Sequence, residues 1–123
     1  MSYKITPKDF EVFKAESEKW IKTFGLIDWE VNYDYDLDGD CRASCQADYV
    51  NRITINSISL EWAYKPKVAE IKRMAFHEVC ELLLSPMRLV AEARFINEDE
   101  LETARHSVIR VLENTIFHKG VKP

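Results

Sequence analysis

His77-Glu78-Val79-Cys80-Glu81 places a histidine and a glutamate four residues apart, with a second carboxylate between them, inside an apolar run. The pattern is one substitution from H-E-x-x-H. In that motif a helix presents its i and i+4 side chains on one face, where both ligate a single zinc, while the intervening glutamate acts as general base on metal-bound water. Glu81 stands where the second histidine would be, and a carboxylate oxygen is an acceptable zinc ligand. The structural alternative for a five-residue pattern is a buried His–Glu pair that binds nothing.

The elements that must position these residues are readable from periodicity. Thr6 to Phe24 reads as an amphipathic helix, with Thr6-Pro7 as its start, Phe10, Phe13, Ser17, Trp20 and Phe24 on one face, and Gly25 at its stop. Trp29, Val31, Tyr33 and Tyr35 alternate with polar residues, as do Cys41, Ala43, Cys45, Ala47 and Tyr49. With the turn at Leu37 to Asp40 between them, these two strands are expected to form a hairpin. Arg52 to Asn56 supplies a third strand, completing a small, mainly antiparallel sheet. Apolar residues from Lys67 to Leu84 cover most of a helical circumference, which predicts a largely buried helix ending at Ser85-Pro86. A short helix is expected over Met87 to Phe95, and a final one from about Glu98 to Phe117, capped by Asn97.

Polar groups on a buried helix must be paired, neutralised or bound to metal, so a third ligand is sought elsewhere in the chain. His106 is the best candidate, on the last long helix and flanking the stripe of Leu101, Ala104, Val108 and Leu112. Glu102 or Glu113 could take its place, and His118 reads as a helix-end residue favoured by the dipole.

Two other constellations point away from metal. Asp34-x-Asp36-x-Asp38-Gly39 copies the start of a calcium loop, but its twelfth position is Cys45 and strands flank it, so calcium is not expected. Cys41 and Cys45 fall on the apolar face of a strand with no second pair elsewhere, and are expected to be reduced, core-facing thiols, as is Cys80.

Composition bounds the rest. The 123 residues, 46% hydrophobic, suffice for one domain. A net charge of −4 and a pI near 5.4 argue against a nucleic-acid footprint. No apolar run reaches the roughly 18 residues of a membrane span, and Met1 to Phe10 holds no apolar signal core, so a soluble, cytoplasmic protein is expected.

The order Trp29-Glu30-Val31, Ala43 to Asp48, Arg52-Ile53-Thr54-Ile55, His77-Glu78-Val79-Cys80-Glu81-Leu82-Leu83-Leu84, and His106 to Asn114 resembles the small zinc metallopeptidases of tailed bacteriophages and prophages. More distantly, the chain is similar to the SprT-like branch of the zincins. The resemblance implies an α+β zincin-like domain over residues 1–123, with a few strands beside an active-site helix and a further helix carrying the third ligand. It assigns His77, Glu81 and His106 to zinc and Glu78 to proton transfer, with a protein or peptide as substrate and no nucleic acid or membrane as partner. Glu81 departs from the family motif and adds negative charge, which makes a bound water less acidic than an all-histidine set would. The rivals are a non-catalytic protein-binding module on the same architecture and a domain with a purely structural zinc.

Overall fold

The computed structural model describes residues 2–37, 42–93 and 95–117. A two-residue strand, β1 (Tyr3–Lys4), precedes helix α1 (Pro7–Thr23). The start of α1 is held by a reciprocal pair: the Asp9 N–H donates to Thr6 Oγ1 at 3.1 Å and the Thr6 N–H donates to Asp9 Oδ2 at 3.0 Å, satisfying two otherwise unpaired donors. The helix ends where Gly25 turns at φ +68°, so that the Leu26 N–H reaches the Ile21 carbonyl at 2.9 Å and the Gly25 N–H reaches that of Lys22 at 3.1 Å. That left-handed position suits glycine.

Strands β2 (Glu30–Leu37), β3 (Ala43–Asp48) and β4 (Ile53–Ser59) form the main sheet in the order β2-β4-β3. The expected hairpin of β2 with β3 is therefore corrected: β4 lies between them, antiparallel to β3 and parallel to β2. The sheet is mixed, with one pair of each kind, not mainly antiparallel. Its tight turn lies after β3, where the Asp48 carboxylate accepts the Asn51 N–H at 3.2 Å and the Asn51 amide at 2.8 Å, and Arg52 takes φ +58°. That turn pairs β3 directly with β4, and β2 takes the far side of β4. A further short strand, β5 (Glu61–Trp62), pairs antiparallel with β1.

Three helices follow: α2 (Val68–Leu83), α3 (Ser85–Glu92) and α4 (Glu98–Leu112), the last continued by a π-helical turn, Glu113–Phe117. Ser85-Pro86 both ends α2 and opens α3, whose first turn tolerates a residue lacking an N–H. Helix α2 packs against α1 and the inner face of the sheet and is shared by two apolar clusters. Ile71 and Ala75 join Ile5, Phe13, Ile58 and Trp62 in one; Val79, Leu82 and Leu83 join Phe24, Leu26, Trp29 and Val108 in the other. The expectation of burial around most of α2 is corrected to burial along one stripe. Phe76, apolar but off that stripe, remains part-exposed with its ring edge-on to Trp20 at 4.7 Å. The architecture is α+β, and no helix among the described residues is long and apolar enough to cross a membrane.

Candidate functional site

Four residues of helix bring His77 Nε2 within 3.7 Å of Glu81 Oε1 on the solvent side of α2, with side-chain exposures of 64% and 49%. Neither group is buried, so neither needs a metal to offset desolvation. They do fit one. Two ligand atoms bonded to zinc at about 2.0–2.1 Å in a tetrahedral arrangement lie about 3.3 Å apart, close to the separation already present.

His106 does not join them. It is 54% exposed on α4, with Nδ1 2.9 Å from the Glu102 carbonyl oxygen and 3.5 Å from Glu102 Oε2. The residues that α4 buries are Ala104 and Val108, each two positions from His106 and so about 200° around the helix. The stripe expected from sequence included Leu101 and Leu112, which are part-exposed; without them its centre moves away from His106. Glu102 pairs with Arg105, and Glu113 is exposed on the π-helical turn. Among the described residues no three His, Cys, Asp or Glu side chains come together as a metal-holding group.

Glu78, one position from His77, turns inward. It is 5% exposed, Oε2 has no hydrogen-bond partner, and burial pushes its pKa up, with His77 pulling it down and Glu81 adding to the rise. Cys45 lies close enough to feel it: burial raises the thiol's pKa, a hydrogen bond with Thr54 lowers it, and Glu78 and Glu81 raise it further. Cys45 Sγ is 3.4 Å from Thr54 Oγ1, which donates to Asn56 Oδ1 at 3.0 Å, while Asn56 Nδ2 is buried without a partner. A polar patch thus lies between α2 and the sheet. Sequence reading missed Thr54 and Asn56 because the strand inverts the usual alternation, turning Ile53 and Ile55 out and the polar pair in. Cys45 faces inward as its alternation predicts; Cys41 and the tip of the Asp34 to Asp40 turn lie outside the described residues.

Beside Glu81 a groove of about 400 Å³ runs between β3 and α3. Cys45, Ala47 and Tyr49 form one wall and Arg88, Leu89 and Glu92 the other, with Arg88 Nε bonded to Glu92 Oε1 at 3.0 Å. The backbone parity of β3 follows from one bond, Ser59 N–H to Arg42 O at 2.8 Å. Opposed residues that exchange hydrogen bonds alternate along an antiparallel ladder, so Ser44, Gln46 and Asp48 bond to β4 while Cys45 and Ala47 aim their N–H and C=O groups at the open edge. Comparison of the chain with models of protein families, with curated proteins and with solved structures finds no match to any of them.

Proposed function

We propose that this chain is a zinc-dependent peptidase of zincin-like type, in which His77 and Glu81 hold the metal and Glu78 moves the proton. The observation that carries the reading is the His77–Glu81 pair, 3.7 Å apart at the surface with a buried carboxylate beside it. Zinc, when bound, supplies Lewis-acid polarisation and a water of lowered pKa. Glu78 contributes basicity: a carboxyl pushed up by burial is closer to the pH at which it both accepts and returns a proton. The open edge of β3, through the backbone of Cys45 and Ala47, orients an extended peptide in the groove beside Glu81.

Zinc titration by calorimetry tests the ligands. One zinc per chain is expected, with binding lost in His77→Ala and Glu81→Ala and strengthened in Glu81→His. Glu78→Gln keeps zinc and the fold but loses hydrolysis of a generic protein substrate. In the arrangement described, His106→Ala retains zinc; its loss would return His106 to the ligand set that the sequence points to. Wild-type protein that takes up no zinc removes the reading altogether.

A second reading, a non-catalytic protein-binding module, is favoured by the placement of His106. Catalytic zinc sites ordinarily carry three protein ligands, and among the described residues two are gathered. Zinc-independent binding of an extended peptide along β3, unaffected by Glu78→Gln, is its signature.

A further inference from the structure

Helix α4 and its π-helical continuation run without a break from Glu98 to Phe117 and bury only part of their circumference. Beside the face that carries Ala104 and Val108 lies a second apolar face: Leu112 is 38% exposed, Ile109 40%, Leu101 41% and Ile116 45%. At about 100° per residue, Leu101, Leu112, Ile116 and Ile109 fall within about 80° of one another, a continuous stripe rather than scattered exposure. Arg105 lies within that arc and Glu113 at its rim.

We propose that this stripe is the docking surface for a second copy of the chain, α4 against α4, antiparallel about a twofold axis at Ile109. The order of charges selects that partner and that direction. Arg105 lies four residues before Ile109 and Glu113 four residues after it, so an axis at Ile109 brings Arg105 of each copy opposite Glu113 of the other, twice by symmetry. A parallel arrangement would set arginine on arginine and glutamate on glutamate. Arg105 is already held on the helix surface by its ion pair with Glu102, so its guanidinium is placed to bridge Glu102 and the second copy's Glu113. This inference is independent of the peptidase reading, since His77, Glu78 and Glu81 are on another helix.

Sedimentation equilibrium from about 1 µM to about 1 mM in low salt tests it. The wild-type chain is expected to dimerise. Arg105→Glu and Glu113→Arg, each of which sets like charges face to face at two symmetric places, should weaken the dimer about tenfold or more. The double variant Arg105→Glu/Glu113→Arg should restore it, because the swapped charges attract again. Far-UV circular dichroism checks that every variant keeps its helix, and Ile109→Lys supplies an independent break at the axis. A wild-type monomer throughout, an assembly larger than a dimer, single variants that leave the dimer unchanged, or a double variant that fails to recover it would each overturn the proposal.

Discussion

Glu78 is the charged side chain that the described residues bury, and it has no partner for one of its oxygens. A carboxyl whose pKa is raised by folding holds its proton more tightly folded than unfolded. Its favourable contribution is complete below the unfolded value and is lost as pH rises through the folded one. Glu78→Gln, which never ionises, should therefore stabilise the protein by about 1 kcal/mol near neutral pH, and the gain should shrink as pH falls toward the ordinary value of 4.5. Urea unfolding at the two pH values measures the difference; a destabilised variant would mean that the ionised carboxylate is compensated in the fold. The His77, Glu78 and Glu81 arrangement was legible in the sequence because spacing along a helix dictates it. Asn56 and Thr54 were not, since which face of a strand is buried depends on what packs against it.

The limits of α1 were readable for the same local reason: it was expected over Thr6 to Phe24 and occupies Pro7–Thr23, with its start and its glycine stop as anticipated, whereas the short helix expected over Met87 to Phe95 runs Ser85–Glu92 because Ser85-Pro86 opens it as well as ending α2. Strand order was not readable. The Asp38-Gly39 signal implied a hairpin of β2 with β3, but pairing is settled by which turn closes first and which edge then remains open. The β1–β5 pair, two residues a side, carries too little pattern to be seen at all. The parity of β3 makes a prediction that belongs to the strand as a unit. Gln46→Pro removes an N–H bonded to β4, whereas Ala47→Pro removes one aimed at the open edge, so the first should cost about 1 kcal/mol more than the second. Thermal melts of the two variants compare them directly; equal losses would refute the assigned hydrogen-bond parity.

At the scale of the whole molecule, α1 and α2 each serve both apolar clusters: Phe13 and Ile21 from the first helix, and Ile71 and Leu82 from the second. Neither cluster can be dismantled without loosening a helix that the other requires. Ile71→Ala and Leu82→Ala, at fully buried positions, should each cost about 2–5 kcal/mol, and unfolding followed by tryptophan fluorescence and by circular dichroism should remain coincident in both. Separate transitions in either variant would show that the clusters are independent. The α+β class followed from the succession of periodicities; that two clusters share their helices could not, because it depends on contacts distant in sequence.

The interposition of β4 between β2 and β3 also dictates an order of events in time. β3 and β4 are joined by a tight turn and are expected to meet early, whereas β2 pairs with the far edge of β4 only after a loop that contains the whole of β3 is closed. The β3–β4 turn is then expected to be formed in the folding transition state and β2 to join after it. Asn51→Ala, which removes an amide bonded to Asp48, should slow refolding, while Val31→Ala, in β2, should leave refolding nearly unchanged and accelerate unfolding. Stopped-flow chevrons of the two variants distinguish these limbs, and a Val31→Ala effect confined to the refolding arm would mean that the parallel pair forms first.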